Sequence, residues 1–300
     1  MFLADDARDL TAAAQSDQLA GFIEAAFPAL HLGRRRLEQS GGDHALLIVD
    51  EHFAFRFPRS GMHGLNLEIA VLERLQRRSP IPIPAYEYVD PAGRFAGYPF
   101  IKGTALTPVR FAALADHLQN DVLRTAAMFL TELHGLAASA IAPETDWPFT
   151  WAAADYTDRG LTTYLPSIVA RSPVQASLVE RFYITYREIS PPQRVVIHGD
   201  LVVEHVLLDE QTEQLSGIID FGDVALGDPA QDFLGFWAYG ADAAGKIVEL
   251  YRPAGADPTF LARSRQHFIR YRLDRIFEGM SRHDRPMTEV AAEIDALLAV

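Results

Sequence analysis

Asp200, His205 and Asp220 fall within one stretch, Val195 to Asp228, that reads VVIHGDLVVEHVLLDEQTEQLSGIIDFGDVALGD. The apolar run Val195-Val196-Ile197 delivers His198-Gly199-Asp200 onto a loop, and His205 follows five positions after Asp200. Val206-Leu207-Leu208, a polar turn from Asp209 to Gln214, and Leu215 to Ile219 then read as a hairpin ending at Asp220-Phe221-Gly222. Such a hairpin holds Asp200 and His205 at one end and returns Asp220 beside them. That grouping suits phosphoryl transfer, which needs a carboxylate to orient the attacking hydroxyl and oxygen or imidazole ligands to hold magnesium on the phosphates.

The pattern resembles the protein-kinase catalytic loop followed by its Asp-Phe-Gly segment. It is more similar to the aminoglycoside phosphotransferase family, whose loop reads His-Gly-Asp. Within that family it is most similar to the aminoglycoside 2''-phosphotransferases, which share a His at the position of His205 and the phrase Gly217 to Asp223 before a pair like Gly227-Asp228. The resemblance covers roughly residues 36 to 280. It implies a bilobal, protein-kinase-like α+β fold: a small antiparallel-sheet lobe over residues 1–102 that binds nucleotide, a hinge near 98–103, and a larger, mostly helical lobe over 103–300 that carries catalysis and the acceptor. It also implies transfer of the γ-phosphoryl group of GTP or ATP to an aminoglycoside hydroxyl at the 2'' position. Asp200 would take the hydroxyl proton, and His205 and Asp220 would hold Mg2+. An imidazole is a softer ligand than magnesium prefers, so the His205 assignment leans on the resemblance. The alternatives are a macrolide phosphotransferase, a small-metabolite kinase of the same fold, and a nucleotide-binding pseudoenzyme with Arg56 as its lesion.

The elements that must position these groups are legible upstream. Ser16 to Leu30 has helical spacing, with Ser16 or Asp17 as cap. Leu37 to Val49 reads strand, turn, strand, and the resemblance lays the Gly41-Gly42 turn over the triphosphate. Phe53, Phe55 and Phe57 alternate with Ala54 and Arg56 as a strand, and Arg56 stands where the family carries a phosphate-contacting Lys. A guanidinium keeps the charge but offers a planar fork in place of a compact ammonium. A helix over Leu65 to Gln76 puts Glu68 where the family's pairing glutamate sits, so an Arg56–Glu68 ion pair is expected to aim the guanidinium at the phosphates. Pro80 to Pro84 is extended, because each Pro restricts its predecessor. Gly97 to Gly103 then looks like the hinge, with Tyr98 behind the base, where it favours GTP. Pro99 and Ile101 meet the base edge through their backbone, Pro99 only as acceptor.

Downstream, Asp121 to Leu136 is helical with Val122, Met128, Phe129 and Leu133 at core spacing, and His134 packs or caps. Asp155 to Leu178 supplies an accessory helical region. Asp228 to Phe233 opens a helix whose acids suit its dipole, and the resemblance makes Asp228 or Asp232 a brace for the catalytic loop. Over Arg270 to Met280, Asp274 and Glu278 are four apart and share a helical face. The resemblance puts a substrate-amine acid at Asp274, and with Glu278 and Glu204 it gives a partly solvated acidic rim for a polycationic acceptor.

Composition bounds the rest. At 300 residues, 49% hydrophobic and 22% charged, the chain has length for two lobes and a substantial core. Cysteine is absent, which excludes disulfides and thiolate metal sites. A formal charge of −13 disfavours nucleic acid and suits a cationic small molecule. The start MFLADDARDL lacks the basic segment of a signal peptide, and no apolar run reaches membrane-spanning length, so a monomeric cytoplasmic enzyme without membrane partners is expected.

Overall fold

A computed structural model describes residues 12–38, 44–59, 63–143, 146–147, 153–253, 257–282 and 285–298. The chain divides into two compact units: Met1–Ala105 with His205–Asp223, and Leu106–Glu204 with Val224–Val300.

The first unit opens with α1 (Ala12–Ala26), which begins before Ser16 and stops short of Pro28, a residue that cannot continue a helix. β1 (Arg35–Glu38), β2 (His44–Val49) and β3 (Phe53–Pro58) follow, then α2 (His63–Leu75), β4 (Tyr88–Val89), β5 (Ala96–Pro99) and β6 (Thr104–Ala105). The first five strands form one antiparallel sheet in the order β1-β2-β3-β5-β4. Alternation along β3 sorts its residues. Phe55 and Phe57 join Leu47, Val49, Leu19, Ile23 and Phe95 in a core covered by α1. Arg56, opposite Leu46 and Ala96, points to the other face.

The second unit begins with α3 (Pro108–Ala113), capped by the Thr107 hydroxyl accepting from the Arg110 N–H, and α4 (Asp116–His134). The buried stripe of α4 is Val122, Ala126, Phe129, Leu130 and Leu133. Met128, expected in that core, is 53% exposed. Six residues after Val122, it lies about a third of a turn off the stripe at 3.6 residues per turn. α5 (Ala138–Ile141), α6 (Ala153–Arg159), a π-turn over Gly160–Tyr164, α7 (Leu165–Val169) and α8 (Pro173–Tyr186) make up the accessory helical region. β7 (Val195–Ile197) then leads into the His-Gly-Asp loop.

β8 (Val206–Asp209) and β9 (Gln214–Ile218) form the expected hairpin in the first unit, and β8 pairs on its other edge with β6. Its turn is pinned by Asp209 Oδ1, which accepts from the N–H groups of Gln211 and Thr212 at 2.8 and 3.1 Å. β10 (Ala225–Gly227) returns to the second unit and pairs antiparallel with β7. The helix expected from Asp228 is a 3₁₀ segment, Pro229–Tyr239, with Asp228 as its cap and Pro229 at its first position. α9 (Ala241–Leu250), α10 (Phe260–Arg282) and α11 (Met287–Leu298) complete the chain. Tyr164, Tyr183, Tyr186, Leu273, Phe277 and Ile294 are among the residues of one core cluster in this unit. No described helix is long and apolar enough to cross a membrane.

Candidate active site

In the first unit the strands deliver one connected polar cluster. Arg56, on β3, is 8% exposed, and Glu68, on α2, is 2% exposed. Arg56 Nη1 donates to both Glu68 carboxylate oxygens at 2.7 Å, so the structure brings the expected pair together. Nη2 donates to Asp220 Oδ1 at 2.8 Å and lies 3.1 Å from His44 Nδ1. The Tyr86 hydroxyl donates to Glu68 Oε1 at 2.9 Å. Burial pushes the Glu68 carboxyl up, against the pull of the Arg56 charge and the Tyr86 hydrogen bond. Burial is the largest influence on Arg56 and opposes its charge, but Glu68 together with Tyr86, Asp220 and Tyr98 outweighs it and holds the guanidinium protonated.

Hairpin register places His205 beside Asp220. Val206 pairs with Ile218, and the Ile219 N–H donates to the His205 carbonyl at 3.0 Å. One residue further on, Asp220 Oδ2 lies 3.5 Å from His205 Nε2. Asp220 has φ 64°, the left-handed region, where an aspartate is tolerated at a small cost. The next turn needs Gly222, because a Cβ there would sit 2.4 Å from Arg56 Nη2 and displace the guanidinium. His205 and Asp220 are spaced closely enough to share one small cation, and both are partly exposed. Among the described residues no group of three or more His, Cys, Asp or Glu could hold a metal ion. A two-ligand protein site suits magnesium, which usually keeps several waters and completes its shell with phosphate oxygens.

The other residues expected on the nucleotide side are placed as follows. Tyr98 is 8% exposed and packs edge-on against Tyr86 with ring centroids 5.2 Å apart. Burial pushes its hydroxyl above the ordinary tyrosine value. Pro99 is exposed at the end of β5, opposite Phe53, and Ile101 is partly buried beside Gly217. Gly41 and Gly42 lie outside the described residues.

In the second unit the His-Gly-Asp loop is held from beneath. Asp232, fully buried, accepts from the N–H groups of His198 at 2.7 Å and Gly199 at 3.0 Å. The same carboxylate takes a bond from His134 Nε2 at 3.0 Å, which leaves His134 Nδ1 to accept from the Tyr251 hydroxyl at 2.8 Å. Gln231 Nε2 donates to the Gly199 carbonyl at 2.8 Å, and Gly199 has φ 86°, a turn that favours glycine. Asp200 follows directly, partly exposed, its N–H donating to His198 Nδ1 at 3.3 Å. Asp228 takes the alternative role. It caps the 3₁₀ segment through the Ala230 N–H at 2.9 Å and pairs with Arg263 and His267. Burial works against charge on Asp228, yet the bonds from His267 and Arg263 hold its carboxyl well below the usual range.

The acidic rim is not assembled as expected. Asp274 is 7% exposed, ion-paired with Arg270 Nη1 at 2.9 Å and bonded by the Tyr183 hydroxyl at 3.2 Å. It belongs to the inward stripe of α10, Arg263-His267-Arg270-Asp274-Phe277. Glu278, also on α10, pairs with Arg275 at 3.1 Å and approaches Arg159 at 3.9 Å. Glu204 is exposed at the end of the loop. Sequence reasoning missed His44, Tyr86, Gln231 and Tyr251, none of which carries a spacing signal of its own.

Comparison with known proteins matches this arrangement to a class. An aminoglycoside 2''-phosphotransferase solved with GDP and kanamycin superposes with a TM-score of 0.71 at 22% identity, covering 93% of this chain and 97% of that one. A macrolide 2'-phosphotransferase type I gives a TM-score of 0.63 at 22% identity, over 97% and 98% of the two chains. The fold is therefore protein-kinase-like α+β, with an antiparallel-sheet N-terminal region and a largely helical remainder. An uncharacterised Bacillus subtilis protein, YcbJ, is 24% identical over 259 residues, covering 79% of this chain and 81% of that protein. Residues 37–266 match the phosphotransferase enzyme family, and the chain belongs to that family.

Proposed function

We propose that the protein transfers the γ-phosphoryl group of GTP or ATP to a hydroxyl of a small-molecule acceptor, with Asp200 orienting that hydroxyl and accepting its proton. The observation that carries this reading is the braced loop: Asp232, Gln231 and His198 fix the backbone on both sides of Asp200 while its side chain stays partly exposed. A general base needs that combination of fixed position and access. On the nucleotide side, Arg56, steadied by Glu68, is the group for the phosphates. His205 and Asp220 would hold magnesium, which when bound neutralises phosphate charge. Solved relatives named for complexes with GDP, ADP and kanamycin support a purine nucleotide donor and make the 2''-hydroxyl of an aminoglycoside the first acceptor to assay.

Asp200→Asn tests the reading. It keeps the shape of the side chain and removes the base, so nucleotide binding should persist while kcat falls by roughly two or more orders of magnitude. A variant within a few-fold of the parent would remove Asp200 from this role.

A further inference from the structure

The second unit contains a cavity of about 400 Å³ formed against the end of the His-Gly-Asp loop. Its wall on α10 is one helical stripe, Phe268, Tyr271, Arg272, Arg275 and Ile276, spaced i, i+3, i+4, i+7, i+8. This stripe is turned away from Asp274, with Ile276 at its edge reaching the core. Val202 and Glu204 of the loop also line the cavity, as do Arg285 and Glu293. Three guanidinium groups therefore meet two carboxylates in a chain whose formal charge is −13.

The partners of those guanidinium groups decide what the cavity can bind. Arg285 is ion-paired with Glu293, and Arg275 with Glu278 at 3.1 Å. Arg272 is exposed and, among the described residues, forms no ion pair. Polycation recognition needs unpaired carboxylates, because each ammonium leaving water requires an acceptor. Of the acids expected to supply them, Asp274 is buried with Arg270 and Glu278 is taken by arginines, so Glu204 alone reaches the cavity. The apolar and aromatic part of the lining comes from Phe268, Ile276, Leu234 and Val202.

We propose that the acceptor is a small alcohol that also carries one acidic group, a carboxylate or a phosphate, which Arg272 receives while the hydroxyl is turned toward the loop. This rests on the phosphotransfer reading above and narrows its substrate. A planar guanidinium suits either acid, since both offer paired oxygens to its fork. The cavity also senses the proposed base. Burial first, then the negative charges of Glu204 and Asp200, raise the Tyr271 hydroxyl above its ordinary value, so the Asp200 charge is felt at the cavity wall.

The test is a set of acceptors matched except for charge: gluconate, glucose and glucosamine; glycerate, glycerol and serinol; glycerol phosphate; and kanamycin. Each is incubated with ATP and with GTP, and the phosphoester is measured by mass spectrometry. The acidic members should exceed their neutral and amine counterparts at least tenfold in kcat/KM. Arg272→Lys should retain that order, and Arg272→Glu should lower the acid-to-amine ratio at least tenfold, a change in selectivity that loss of packing alone would not produce. Turnover of no acidic member, a preference for kanamycin or the other amines, or an unchanged ratio in Arg272→Glu overturns the proposal. Preferred turnover of the amines, lost in Asp200→Asn, leaves phosphotransfer standing and removes only the anionic acceptor. Absence of any phosphoester removes both.

Discussion

Asp232→Asn separates the brace of the loop from the chemistry done on it. Asp232 Oδ2 serves the His198 N–H and His134 Nε2, and Oδ1 serves the Gly199 N–H, all inside a fully buried pocket. Asparagine has one oxygen. With that oxygen at the Oδ2 position, the amide nitrogen faces the Gly199 N–H, and two donors meet. An orphaned buried donor costs about 1–3 kcal/mol, and exchanging a carboxylate for a neutral acceptor weakens the two remaining bonds by roughly half a kcal/mol each or more. The expected destabilisation is therefore about 2–4 kcal/mol, read from urea unfolding followed by circular dichroism. The activity should change as well. Release of the Gly199 N–H lets the backbone before Asp200 shift, and a displacement near 1 Å costs on the order of a hundredfold in rate. kcat should fall ten- to a hundredfold with nucleotide KM little changed. A variant within about 0.5 kcal/mol of the parent would refute the hydrogen-bond argument. A destabilised variant with parental kcat would refute the positioning role.

Other consequences follow from the same contacts. Asp220→Asn and His205→Ala should each raise the magnesium concentration needed for half-maximal activity, and titrations that overlay the parent would remove these residues from the metal site. Arg56→Lys should weaken nucleotide binding and lower stability by about 1–3 kcal/mol, because an ammonium cannot reproduce the guanidinium's reach to Glu68 and Asp220 together; a variant equal to the parent in both would show that only the charge matters. Stability should decline on acidification through the Asp228–His267 pair. Burial lowers the His267 pKa, so stability is lost as pH falls through about 6.5 and the unfolded chain takes the proton first. The Asp228 carboxyl is held below its ordinary value, so its contribution is present above about 3.9 and fades below that. In Asp228→Asn the acid limb below pH 5 should flatten, and an unchanged limb in chemical denaturation against pH would contradict the assignment.

How much of this could be read from the sequence depended on whether the signal was local. The hairpin from Val206 to Ile218 was legible because both of its runs are short and apolar and the turn between them is built from Asp209 and its neighbours. Once its register is set, His205 and Asp220 have little freedom to lie apart. The Arg56–Glu68 pair was legible through the resemblance, which put both residues at paired positions of the family, while the strand alternation showed only that Arg56 turns away from the phenylalanines. The α10 helix was not. Arginines and acids occur around its whole circumference, so spacing gives the angle between Asp274 and Arg272 but not which of them faces inward. That choice is made by Tyr183 on α8, 91 residues away in sequence, whose hydroxyl meets Asp274. Asp232 shows an intermediate case. The resemblance offered Asp228 or Asp232 as the brace, but His134 at the end of α4 and Tyr251 just after α9 are distant in sequence and only the fold joins them to Asp232.

Arginine at position 56 bears on whether the chain is an enzyme or a silent relative. A lesion would leave the glutamate of α2 with a misplaced partner and the aspartate of the hairpin without a tie to residue 56. Instead one guanidinium spans both, Nη1 on Glu68 and Nη2 on Asp220, and Gly222 leaves the space that the larger head requires. The charge a lysine would bring is retained, while the fork adds a direct tie to a residue held in a left-handed conformation. Such a tie restrains the hairpin end before any nucleotide arrives, which reduces the ordering that binding must accomplish. The arrangement also limits what Arg56 can do, since a head engaged by two carboxylates presents only its remaining N–H groups to a phosphate. The surrounding residues fit an arginine at this position, which supports the proposed phosphate site and counts against a nucleotide pocket that has decayed.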